Sequence, residues 1–232
     1  MIDTHCHLLP SLDDGPSSDE QAVELAGELV RAGVTAILCT PHFNRRYPTS
    51  HEAAREQLDS LQRILPEHEI HVRLELGAEI GPAKALDARD DELVIRAIAQ
   101  RWLLVELEPD TPVGALSLLC DRVDAVGLLP VFAHPERCRA IQRDPAALVE
   151  ARERGALAQV VASSLGGSWG RTISSTAWGL LASGRADLVG SDSHRPGSKR
   201  PLASVLLELE QRLGAHEARR LLVDTPGTIV NG

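Results

Sequence analysis

Short apolar runs alternate with longer stretches of helical period along the chain, and almost every run ends in His, Asp or Glu. The runs fall at 1–5, 34–39, 72–78, 102–107, 129–133, 158–162 and 187–190. Most are continuously apolar, as strands covered on both faces must be. The stretches between them read as helices. Ser17 and Glu20 form a capping-box pair, Ala22, Leu25, Ala26, Leu29 and Val30 follow at helical spacing, and Gly33 marks the stop. Further helices are expected over 50–65 (ending at Pro66), 92–101, 112–126, 145–154, 170–183 and 200–213. About seven strands alternating with helices give the α/β class with parallel strands. With no long Pro/Gly-rich linker, the expectation is a single domain over 1–232, closed like a barrel rather than left as an open sheet.

Composition removes several classes of function. The 33 Asp and Glu against 24 Lys and Arg give a net charge of −9, which argues against nucleic acid as a partner. At 43% hydrophobic and 25% charged residues the chain is not disordered. Cys6, Cys39, Cys120 and Cys138 show no C-x-x-C spacing, so a disulfide scaffold is excluded and a reducing cytoplasm is the expected address. No apolar run approaches the ~18–20 residues of a membrane span. The opening residues lack a basic stretch followed by an apolar one, so membrane insertion and a leader are not expected. With only 3% aromatic residues, the core must be aliphatic.

In α/β folds functional residues gather at the carboxyl ends of strands. Here those ends read His5-Cys6-His7, Thr40-Pro41-His42, Gly77-Ala78-Glu79, Glu106-Leu107-Glu108, His134-Pro135-Glu136-Arg137 and Ser191-Asp192-Ser193-His194. His5 and His7 are two apart, so an extended strand points both to one face, and Asp192 and His194 repeat the spacing. Singly, each has a bland reading: His-x-His occurs by chance, a strand-end His caps a loop, and Glu79 or Glu106 binds a loop amide. Jointly they are imidazoles and carboxylates converging as a divalent cation requires. Without a cation, like charges so close would destabilise the fold. Cys39 and Arg45 have the spacing of a thiolate phosphate loop, but Pro41 lacks an N–H and no Gly lies between them. That match is read as accidental. No Walker loop, dinucleotide fingerprint or G-x-S-x-G elbow is present.

The opening Met1-Ile2-Asp3-Thr4-His5-Cys6-His7-Leu8-Leu9-Pro10-Ser11-Leu12-Asp13-Asp14-Gly15 resembles that of PHP-type (polymerase and histidinol phosphatase) proteins. More narrowly it is similar to the bacterial capsular-polysaccharide protein tyrosine phosphatases of the CpsB/CapC/YwqE group. The motifs at His42, Glu79, His134–Arg137, Ser163-Ser164-Leu165-Gly166-Gly167 and Asp192–His194 match in the same order over nearly the whole chain. The resemblance implies a distorted (β/α)7 TIM-like barrel, the PHP fold, holding up to three metals, commonly Mn²⁺, with Fe, Zn or Co as alternatives. It implies His5, His7, Asp14, His42, Glu79, Glu106, His134, Asp192 and His194 as ligands, choosing Asp14 over Asp13 and Glu106 over Glu108. Arg137 falls on the family's phosphate-binding arginine, and Arg200, followed by Pro201, is taken as the second. The implied activity is hydrolysis of a phosphotyrosine protein linked to capsule or exopolysaccharide synthesis, such as a tyrosine autokinase tail. A metal-activated water would attack phosphorus while arginine stabilises the phosphate. Asp3, on the same strand face as His5, reads either as orienting an imidazole or as a plain surface carboxylate, and Phe43 and Tyr47 are the candidates for a phenyl pocket. Three readings compete: a phosphatase of a small phosphomonoester of the histidinol-phosphate type, a non-catalytic regulator of polysaccharide assembly, and a metal amidohydrolase. The last requires a strand-end Lys, which Lys84 and Lys199 do not supply.

Overall fold

All strand pairings named here are parallel, and the strands alternate with helices as the apolar runs require. The computed structural model describes residues 1–197 and 202–232. Among them nine strands occur: β1 Ile2–Cys6, β2 Ala36–Cys39, β3 His42–Phe43, β4 Arg73–Leu76, β5 Glu79–Ile80, β6 Trp102–Glu106, β7 Leu129–Ala133, β8 Leu157–Val161 and β9 Leu188–Gly190. The helices are α1 Asp19–Arg31, α2 His51–Glu67, α3 Pro82–Asp87, α4 Asp90–Val94, α5 Val113–Asp124, α6 Arg139–Arg143, α7 Leu148–Glu153, α8 Ala162–Leu165, α9 Arg171–Ala182, α10 Leu202–Leu213, α11 Ala215–Arg219 and α12 Thr225–Asn231.

One sheet has the order β1-β2-β4 and the other β3-β5-β6-β7-β8-β9. The division falls at Pro41, which has no N–H for the ladder. Backbone bonds still cross it, from Gly77 N to Cys39 O (2.9 Å) and from Glu79 N to Pro41 O (3.1 Å). At the opposite edge the residues after β9 return to β1. Asp192 N donates to His5 O (2.8 Å) and His7 N to Ser193 O (3.0 Å). β9 passes so close to β1 and β8 that a Cβ at Gly190 would stand 2.9 Å from both His5 Cβ and Gln159 Cδ. Only glycine fits there.

Alternation along each strand divides the apolar residues. Ile37, Leu103, Val105 and Phe132 face the helices. Leu38, Leu104, Val131, Ala133 and Leu188 face the other way, joined by Trp102 and Ile229. Ile229 comes from α12, and Arg220 reaches Ala186 O (3.3 Å) and Asp187 O (3.4 Å). The last helices therefore pack under the amino ends of the strands and leave the carboxyl ends open.

Several boundaries differ from the sequence expectation. The α1 cap is Ser18, which accepts from Gln21 N, while Ser17 N instead donates to Gln21 Oε1. The helix of 50–65 runs on to Glu67, because Pro66 in a last turn forfeits little of the ladder. The expected helix over 92–101 stops at Val94. Ala99 and Gln100 take positive φ (48° and 56°), and Ile98 bridges back to Trp102. The short β3 and β5, and all of α11 and α12, escaped the periodicity.

Candidate metal centre

β1 sends Cys6 into the core and holds His5 and His7 on its other face, their ring centroids 5.4 Å apart. Each imidazole is fixed from behind. His7 Nδ1 lies 2.7 Å from Asp13 Oδ2, and a carboxylate only accepts, so Nδ1 carries the proton. His5 Nδ1 lies 2.8 Å from Gln159 Oε1, whose amide is oriented by donating to Thr4 Oγ1 (2.8 Å). In the neutral rings both Nε2 atoms are then bare lone pairs, yet they stand 3.3 Å apart. Two such lone pairs repel unless a positive charge lies between or beside them.

Glu79, fully buried on β5, is the hub. Its Oε2 is 3.4 Å from His5 Nε2, 3.3 Å from His7 Nε2 and 3.0 Å from His42 Nδ1, and its Oε1 is 2.8 Å from His134 Nε2. β3 and β5 pair in register at His42 and Glu79, which sets these two side by side. Asp192 Oδ1 is 3.4 Å from His5 Nε2 and 3.6 Å from His7 Nε2. Asp14 Oδ1 is 3.5 Å from His42 Nε2 and 3.3 Å from His194 Nε2. His134 and Asp192 both take left-handed backbone conformations (φ 38° and 53°), which non-glycine residues adopt at a cost of about 1–2 kcal/mol.

Ligand atoms within 4.8 Å of one another form three sets: His7, Asp14, His42 and His194; His5, His7 and Asp192; His42, Glu79 and Glu106. Buried Asp14 Oδ1 and His134 Nδ1 have no hydrogen-bond partner, and Glu79 Oε2 and His42 Nδ1, 3.0 Å apart, meet without hydrogen-bond geometry. Each would cost about 1–3 kcal/mol if left so. Converging nitrogens and carboxylate oxygens with unspent lone pairs are what divalent cations of borderline to hard character take, and the residues fit such ions.

The electrostatics follow from the same contacts. Burial opposes charge on His7, but the neighbouring Asp13 and Glu79 carboxylates outweigh it and push its pKa well up, so a cation at Nε2 would take the place of a proton. Burial likewise works against ionised Asp13, yet His7 and the amides of His42 and Gly15 draw it down to about 2. Burial, then the neighbouring Glu79, pushes Glu106 up.

Arg137 ends the 3₁₀ turn Pro135–Arg137, with Nη1 2.9 Å from Asp192 Oδ2 and Nη2 donating to Ser163 Oγ (3.4 Å). It borders a cleft of about 720 Å³ onto which Asp14, Glu79, Glu106 and Trp169 also face.

Thus His5, His7, Asp14, His42, Glu79, Glu106, Asp192 and His194 gather in the three sets. His134 joins through Glu79 and belongs to none of them. Arg200 lies outside the described residues. Two expectations are corrected. Asp3 does not orient an imidazole; its Oδ1 accepts from the amides of His5 (3.3 Å) and Ser191 (3.0 Å), tying β1 to the loop after β9. Phe43 is buried beneath Arg96 and Lys84, outside the cleft. Tyr47 stacks on His42 (5.7 Å, 8°) and borders a cleft that Asp14, His42 and Glu106 also line. The sequence reading missed Asp13, Gln159, Trp169 and Arg195, the last of which also lines the cleft. Gln159 left one signal, a lone amide inside an otherwise apolar strand. Cys39 is fully buried, and burial drives its thiol pKa far above the ordinary value, so it is no nucleophile.

The family model described as capsular polysaccharide synthesis, CpsB/CapC, matches residues 1–231. Tyrosine-protein phosphatase YwqE of Bacillus subtilis (strain 168) is 32% identical over 206 residues, covering 84% of this chain and 77% of that protein. Tyrosine-protein phosphatase CpsB of Streptococcus pneumoniae is 26% identical over 238 residues, covering 99% and 98%. A crystal structure described as YwqE from Bacillus subtilis and CpsB from Streptococcus pneumoniae, unique metal-dependent tyrosine phosphatases, has a TM-score of 0.87 and 30% identity to this chain. It covers 100% of this chain and 95% of that one. Among the described residues no helix is long and apolar enough to cross a membrane.

Proposed function

Because the chain belongs to the CpsB/CapC family of capsular polysaccharide synthesis, we propose that it is a metal-dependent phosphatase of phosphotyrosine proteins. One observation carries the reading: three donor sets converge at the floor of a cleft that the Arg137 guanidinium borders, beside Asp192. The ligands are His5, His7, Asp14, His42, Glu79, Glu106, His134, Asp192 and His194, and Mn²⁺, in up to three positions, is the proposed cation. Counting β2 with β3 and β4 with β5, the strands make a seven-membered (β/α) barrel in a single domain over 1–232. The proposed substrate is a phosphotyrosine protein of capsule or exopolysaccharide assembly, such as an autokinase tail, met in the cytoplasm.

When bound, the cations supply Lewis acidity at phosphoryl oxygens and make water acidic enough to act as a nucleophile near neutral pH. The chain's own groups do the rest. Gln159 and Asp13 hold the His5 and His7 rings so that Nε2 faces Glu79 and Asp192. Arg137 offers a planar fork to two phosphate oxygens, which an ammonium cannot do. Phenolate is a good leaving group, so the site needs no strong acid. Arg200 is the proposed second phosphate ligand and Arg195 its rival; Arg195→Ala and Arg200→Ala, compared for KM, decide between them.

Chelation should abolish hydrolysis of a phosphotyrosyl peptide and Mn²⁺ should restore it. Thiol alkylation should leave it intact; inactivation by alkylation that phosphate prevents would return the chemistry to Cys39. Arg137→Ala should keep its metal and lose turnover, and loss of metal from that variant would contradict the role given to it.

A further inference from the structure

The residue spare to everything above is Trp169. Of the described cleft-lining residues it is the aromatic one, histidines aside, and it is 57% exposed. The other aromatic rings are committed elsewhere. Phe43, Trp102 and Phe132 are buried, Trp178 donates to Leu165 O and lies under Arg212, and Tyr47 covers His42. The polar edge of Trp169 is satisfied, its Nε1 donating to Ser163 Oγ (3.0 Å), so hydrogen bonding does not explain an indole kept in water. That bond also fixes the ring's orientation. The Arg137 guanidinium carbon lies 4.6 Å from the ring centroid. Trp169 further borders a second cleft of about 580 Å³ running past Arg139 and Arg171, so it stands as a partition.

We propose that Trp169 is a specificity-determining residue, the wall on which the phenyl ring of an aryl phosphomonoester lies while its phosphate meets Arg137. The proposal rests on the phosphatase reading and narrows it. A phosphate on Arg137 carries its ester group into reach of the neighbouring indole. A flat ring gains a stacked or edge-on contact there, and an alkyl ester gains little. Trp169 thereby stands on the Arg137 side of the site, where neither Phe43 nor Tyr47 is part of the lining.

Calorimetry on the metal-loaded protein separates these effects without turnover, using phenylphosphonate and methylphosphonate. The wild type should bind phenylphosphonate about tenfold more tightly, the scale of one aromatic contact plus the burial of the ring. Trp169→Ala should bring the ratio near one with metal content and methylphosphonate affinity unchanged, and Trp169→Phe should keep most of the preference. Equal binding of both ligands by the wild type overturns the proposal. So does a preference that survives Trp169→Ala, or an equal loss for both ligands, which would mean that the indole only braces Arg137. If neither phosphonate binds the loaded wild type, the phosphatase reading itself fails and takes the proposal with it.

Discussion

Asp13 decides how His7 faces Glu79 and Asp192. It accepts from the imidazole and from the His42 and Gly15 amides, so one carboxylate ties together two strand ends and the loop after β1. Removing it frees the ring to turn and the proton to move to Nε2. Asp13→Ala should weaken metal binding by about 10- to 100-fold, the usual cost of losing a partner behind a ligating imidazole. A metal titration with circular dichroism as a fold check measures this, and an unchanged affinity would show that His7 needs no such support. Gln159→Leu should act in the same direction through His5, since Gln159 is the acceptor for its Nδ1.

At the scale of elements, the contact between β9 and β1 is the tightest constraint on the site. A Cβ at Gly190 meets His5 Cβ and Gln159 Cδ at 2.9 Å; the first is fixed to the backbone, and the second belongs to an amide held by His5 Nδ1 and Thr4 Oγ1. Gly190→Ala should therefore push His5 off its position, costing about 1–3 kcal/mol in stability along with metal affinity. Thermal melts and metal analysis of one preparation test both parts; a variant as stable and as metal-rich as the parent would mean the strands separate freely. The cap of α1 offers a second test. Ser18→Ala should cost about 0.5–1 kcal/mol and Ser17→Ala less, because the hydroxyl of Ser18 is the one that accepts from Gln21 N. The reverse order would restore the capping box read from Ser17 and Glu20.

For the whole molecule, the cations belong to its stability as well as to its chemistry. Carboxylates and imidazoles from both ends of the chain meet with lone pairs unspent, so an ion between them pulls the termini's strands together. Saturating one site at 100 times its Kd adds about 2.7 kcal/mol. For a domain of this size that is roughly 5–10 °C in Tm. Chelation should lower the melting temperature by about that much, and a Tm indifferent to chelator and Mn²⁺ would contradict the cage. The alternation of apolar run and helix was legible from residue order alone, because strand and helix periods are local properties of a chain. So were the residues at the strand ends, since any α/β sheet sends those to one face. Helix ends such as Val94 were not, because the turn at Ala99 and Gln100 depends on Ile98 meeting Trp102 across it. Nor were the packing of α12 under the strands, the amide of Gln159 behind His5, or Trp169 beside Arg137. Order along the chain determined which groups arrive at the open face. Which of them touch was decided by strand register and close packing between residues far apart in sequence, and no local period records that.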